Sequence, residues 1–161
     1  MTEAADFIDA ALQYEVSPYS FAGQEPDGLV HYGTSVGAVR GTVRDALRRH
    51  PAMAHDEITA LASELWSRPV FERRQAAIVL LQTEVVVLVA NDLTRLEGFL
   101  RSAASGPLVD QLVSDVLAPM IAAMDDATRA RVQVVFTRWV HDPHPAVRSS
   151  GHRLLEAPRA S

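Results

Sequence analysis

From Ser35 to Glu156 the apolar residues return every three or four positions, and that period commits most of the chain to amphipathic helices. Val36, Val39, Val43 and Leu47 form one stripe, closed by Arg48, Arg49, His50 and Pro51. His55 or Asp56 opens the next helix, with Ile58, Leu61, Ala62 and Leu65 inward and an end near Trp66, before Pro69. The same spacing predicts helices over about 70–90, 92–103, 107–124, 126–140 and 145–156. Val85 to Val89 is the one β-like run, and it continues a helical pattern without turn residues. Upstream, Ala4, Ile8, Ala11 and Leu12 place a further helix over 3–15. The expected fold class is therefore all-α. Residues 16–34 break the pattern with Pro18, Gly23, Pro26, Gly28 and Gly33 among Tyr19, Phe21 and Tyr32. Such a stretch is either a functional loop or a connector pinned by its aromatics.

The 161 residues suit one domain with a real core: an acidic N-terminal helix and loop over 1–30, then a helical body over 31–161. With no Cys, neither a disulfide framework nor a thiolate nucleophile is available, which fits a reducing compartment. The apolar tract from Ala76 to Ala90 is broken by Gln82, Thr83 and Glu84 and falls short of the roughly 20 residues a membrane span needs. The start, with Glu3, Asp6 and Asp9, lacks a secretory pattern, so a cytoplasmic location without membrane contact is expected. The net charge of −5 argues against a nucleic-acid binder until it is divided. Glu3, Asp6, Asp9, Glu15, Glu25 and Asp27 all fall in the first 30 residues, leaving the rest near neutral. Every cation is Arg, which suits bidentate contacts to phosphate or carboxylate but also follows from a GC-rich coding bias, the simpler of the two explanations.

A weak repeat orders the helices. Leu65-Trp66, Arg74 and Leu80-Leu81 recur as Trp139, Arg148 and Leu154-Leu155, with offsets of about 73–74, twice the period of helical-pair repeats. Asp142-Pro-His-Pro-Ala-Val-Arg148 has the form of a HEAT-type turn inside one helix pair. The expected architecture is a HEAT-like helical-repeat solenoid, an α-α superhelix.

Glu64-Leu65-Trp66 with Pro69 and Gln75-Ala76-Ala77, Tyr32-Gly33-Thr34-Ser35-Val36 with Arg40, Leu108-Val109-Asp110, and Trp139 with Arg148 occur in one order across about residues 30–150. In that order the sequence resembles the AlkD-like DNA alkylation repair family of HEAT-repeat DNA glycosylases. The resemblance implies a concave surface for duplex DNA and hydrolysis of the N-glycosidic bond of cationic, alkylated purines. It makes Asp110 the catalytic carboxylate and Arg148 a DNA-contacting residue, and it implies no cofactor. Where the family pattern has Trp four residues before that Asp, this sequence has Gly106. The chain also stops at Ser161, short of the usual family length, so an uncapped repeat end would pair two copies as a homodimer.

Each residue also has a structural reading. Asp110 sits on the polar side of its helix with Ser114, as a groove-facing acid would, yet a first-turn acid also favours the helix dipole. Arg148 serves phosphate or pairs with an acid such as Asp142. Arg40, Arg44 and Arg48 recur every four residues and suit a phosphate backbone or a plain solvated face. Trp66 and Trp139 end helices at equivalent repeat positions, so packing is expected of both. His141, His144 and His152 cluster with Asp142, but His141 and His144 flank a Pro turn instead of sharing a helix face, so no metal is expected. Two functions stand: a DNA alkylation repair-like protein, or a non-catalytic HEAT module that binds a protein partner.

Overall fold

The computed structural model describes residues 2–16, 23–24 and 26–157. Pro18, Tyr19, Phe21 and Glu25, and with them the pinning expected of the connector's aromatics, lie outside the described residues. The fold is all-α, in two compact units, Met1–Glu84 and Val85–Ser161.

In the first unit α1 (Glu3–Tyr14), α2 (Val36–Arg49), α3 (His55–Ser67) and α4 (Phe71–Thr83) close around Ile8, Leu12, Val39, Val43, Ile58, Leu65, Ile78 and Leu80. Thr2 and Ser35 cap α1 and α2 through their hydroxyls, as small polar N-caps do. Val36, at the first turn of α2, stands half-exposed instead of joining the expected stripe. Every residue of α4 from Glu72 to Leu81 is buried, so this helix is central and its polar side chains need internal partners. Arg73 donates from Nε to Leu65 O at 3.3 Å and from Nη2 to Glu64 O at 3.0 Å, and its Nη1 lies 3.0 Å from Asp9 Oδ1. Arg74 Nε donates to Trp66 O at 3.1 Å, with its guanidinium over the indole. The buried Glu72 carboxylate accepts the Tyr32 N–H at 2.5 Å, while the Tyr32 hydroxyl donates to Asp9 at 2.8 Å. Burial, then the Asp9 carboxylate, push the Tyr32 phenol up to about 12. These contacts fasten the segment before α2 to both α1 and α4.

Two short strands, β1 (Gly23–Gln24) and β2 (Val30–His31), pair antiparallel, with Gly23 opposite His31, inside the stretch 16–34 that the sequence marks as irregular without indicating strands. Val30 N–H donates onward to Pro69 O at 2.9 Å. The expected helix over 70–90 is also corrected, because α4 stops at Thr83 and 3₁₀ turns follow at Val85–Val87 and Ala90–Asp92. Four Val within five residues stiffen χ1 and weaken helix propensity. Asp92 then accepts the Val89 N–H at 2.8 Å and starts the next helix.

The second unit continues with α5 (Leu93–Ser102), α6 (Gly106–Gln111), α7 (Ala118–Ala122), α8 (Asp126–Trp139) and α9 (Pro145–Glu156). Between α6 and α7 the helix widens to π turns over Leu112–Leu117. Pro119 has no N–H to give the carbonyl four residues back, so the ladder steps to the next donor. Asp125 caps α8, accepting the Thr128 N–H at 2.7 Å. Both Trp66 and Trp139 are buried, as their repeat positions lead one to expect. Of the repeat's Leu154-Leu155 pair only Leu154 is buried, and Leu155 is exposed; the inner face of α9 is Val147, Ser150, Gly151 and Leu154.

Gly151 sets the approach of α9 to α8. A Cβ there would lie 2.8 Å from Trp139 Cβ, 2.9 Å from Val140 N and 3.0 Å from Phe136 O. Since these atoms belong to or adjoin the α8 backbone, whole helices must part to admit it. Gly151→Ala is expected to destabilise the protein by about 1–3 kcal/mol, read as a fall in the denaturant midpoint at unchanged slope.

Candidate functional site

Within the second unit, the end of α5, the turn before α6 and the first turns of α9 enclose an open-mouthed cavity of about 660 Å³. Ala104 makes the turn at its edge with φ 63, a left-handed conformation that costs an L-residue roughly 1–2 kcal/mol. Such strain is stored mainly where geometry matters. The cavity brings Asp110 and Arg148 together in one lining, along with Arg101, Gly106, His144 and His152. Arg40 and Arg44 stand on the exposed face of α2 in the first unit, where Arg44 Nε lies 3.7 Å from Asp45.

Asp110 points to solvent, its side chain 72% exposed, and its Oδ1 accepts from Arg153 Nη1 at 2.9 Å. Ser114 donates to the Asp110 carbonyl at 2.8 Å, so the two share the polar side of α6 and the π turns. The Arg153 contact is a surface ion pair with both partners wet, and such pairs are easily exchanged. Gly106 lies one turn before Asp110, and a Cβ built on it meets nothing within 4 Å. The place where the resemblance puts a Trp is thus open space beside the carboxylate.

Arg148 does not pair with the Asp142 carboxylate, the partner its structural reading named. Its Nη1 donates instead to the carbonyls of Asp142 and Pro143, at 3.1 and 3.2 Å. The Asp142 carboxylate is occupied by Arg101, at 3.0 and 2.5 Å, and accepts the His144 N–H at 2.8 Å. Arg101, then the His144 N–H, hold the Asp142 carboxyl down at about 2. Arg148 therefore keeps its charge uncompensated by any carboxylate within 4 Å among the described residues.

Arg101, Arg153 and the capping role of His144 were missed in the sequence. Arg101–Asp142 and Arg153–Asp110 join residues 41 and 43 apart, which no local spacing reveals. His144 did carry a signal, since a polar residue directly before a Pro that opens a helix stands at the N-cap. Among the described residues no three His, Asp or Glu converge as metal ligands would, and no helix is long and apolar enough to cross a membrane.

The second unit thus holds a carboxylate and an Arg with no carboxylate partner among the described residues in one open cavity, and comparison with known families gives the class of protein. The family model of DNA alkylation repair enzymes matches residues 13–155, and the chain belongs to that family. No match is found among curated proteins.

The Asp142 turn carries a titration to check. A carboxylate held low in the folded state stabilises it above the ordinary unfolded value of about 4, and that contribution is lost as pH falls through about 2. Carboxyl-carbon NMR is expected to place the Asp142 midpoint near 2 in the wild type and to return it toward the ordinary carboxylate range in Arg101→Ala.

Proposed function

We propose that this protein acts on alkylated duplex DNA in the cytoplasm through HEAT-like helix pairs, with the second unit's cavity as the site of base excision. One observation carries the reading: Asp110 and Arg148, the two residues the family resemblance assigns to chemistry and to DNA contact, line the same cavity. A purine alkylated on a ring nitrogen is cationic and leaves as a neutral base, so the bond to the sugar needs little help at the leaving group. Positive charge grows on the anomeric carbon as that bond breaks. A carboxylate beside it stabilises that charge and takes the proton from the water that adds. Asp110 is the carboxylate in this reading, Arg148 holds a phosphate of the same strand, and Arg40 and Arg44 supply further phosphate contacts. The Asp110–Arg153 pair opens at little cost when a phosphate competes for the Arg.

A second reading has an observation of its own. With Gly106 facing open space and Asp110 already engaged by Arg153, no Phe, Tyr or Trp among the described residues lines the cavity as a wall for a cationic base, which favours a non-catalytic helical module that binds a protein.

Release of methylated purines from alkylated duplex DNA separates the two. The wild type is expected to release them at low salt, and Asp110→Asn to be slower by about a hundredfold or more with its fold intact. Absence of release, together with absence of salt-dependent duplex binding, would leave the protein-binding module.

A further inference from the structure

Position 144 is an N-cap, and His is a poor choice for one. Ser, Thr, Asp and Asn dominate there because each offers an oxygen to the first free N–H groups of the helix. His144 does the job with a ring nitrogen: its Nδ1 accepts the Ala146 N–H at 3.2 Å. A nitrogen that accepts a hydrogen bond carries no proton, so the neutral ring must hold its proton on Nε2. The cap thereby selects the tautomer. The ring lines the same cavity as Arg148, and among the described residues nothing accepts from Nε2.

The turn that carries this ring is fixed from behind. The His144 N–H is tied to Asp142, Asp142 is tied to Arg101, and Arg148 is tied to the carbonyls of Asp142 and Pro143. His144 and Arg148 are thus fastened to one short turn and face one cavity. Of the cavity's Arg side chains, Arg101 is neutralised by Asp142, whereas Arg148 has no carboxylate within 4 Å among the described residues. An Arg with no carboxylate partner among the described residues and a neutral N–H donor that line one cavity from one turn suit an oxyanion, the guanidinium supplying charge and the imidazole direction.

We propose that His144 is a binding residue of this cavity, its Nε2–H donating to a phosphate oxygen that Arg148 holds at the same time. The proposal rests on the nucleic-acid reading above and goes beyond it in naming a second phosphate ligand and the reason it is a His. A Ser, Thr, Asp or Asn would cap α9 at least as well, and the hydroxyls and the amide keep a donor on or beside the capping atom; His sets its donor on the far side of a ring from the atom that caps.

His144→Ser tests this directly, because it keeps a good cap and removes the Nε2–H, leaving only a short hydroxyl at the capping position. The variant is expected to melt no lower than the wild type and to bind a short duplex about tenfold more weakly at fixed low salt. His144→Ala, which loses cap and donor together, is expected to fall in both readouts. Ring nitrogen NMR on the wild type should show the Nε2–H tautomer, and the Nε2 resonance should move when duplex is added. Duplex binding that depends on Arg148 but is unchanged in His144→Ser would overturn the proposal, as would an Nδ1–H tautomer. If the wild type binds no duplex at all, the nucleic-acid reading fails by itself, and inorganic phosphate then decides. A shift of the Nε2 resonance on phosphate addition, lost in Arg148→Ala, upholds the pair as a site for free phosphate, and the lack of any shift rejects it.

Discussion

The last carbonyls of an α-helix have no partner inside it, and in this protein guanidinium groups sent back from the next helix supply one. Arg73 and Arg74 of α4 reach the carbonyls of Glu64, Leu65 and Trp66 at the end of α3. Arg129 of α8 donates to Ile121, Ala122 and Met124 at the end of α7. Arg148 of α9 reaches Asp142 and Pro143 in the turn after α8. A planar fork with five N–H donors can serve several diverging carbonyls at once, as a Lys ammonium on its flexible stem does not. The all-Arg composition, which coding bias explains without any structure, has a use at each of these turns.

The device also links the fold to the site. Arg74 and Arg148 occupy equivalent positions of the internal repeat, and each donates back to carbonyls that precede its own helix, Arg74 to the end of α3 and Arg148 to the turn after α8. In the first unit the guanidinium is buried against Trp66 and is part of the core. In the second unit the same position is exposed on a cavity, anchored through Nη1, with no carboxylate within 4 Å among the described residues. A residue that closes a helix pair in one unit becomes, in the other, a backbone-anchored cation in the cavity that Asp110 and His144 also line. Anchoring by the backbone spares a binding group the entropy of being ordered when its ligand arrives.

Much of this was legible because helix burial repeats every three or four residues: the stripes through Val39 and Val43, Ile58 and Leu65, and Leu108 and Leu112 all face inward. What failed did so for local reasons. The Val run after Glu84 carried the helical period of its neighbours but not the propensity, and Pro119 opened a π segment in a helix read as regular. At the site, the resemblance pointed to Asp110 and Arg148, and the cavity that joins them needed the structure. The ion pairs Arg101–Asp142 and Arg153–Asp110 close distances of some 40 residues, a relation carried by folding and not by sequence spacing.

The central claim is that the cavity beside α9 engages the phosphates of a nucleic acid through Arg148. The most direct test is the salt dependence of duplex binding for the wild type and Arg148→Ala. If Arg148 neutralises one phosphate, the slope of log K against log salt should fall in magnitude by about 1 in the variant, with similar loss on unrelated duplex sequences. Equal slopes, or binding that ignores salt in both proteins, would contradict the account.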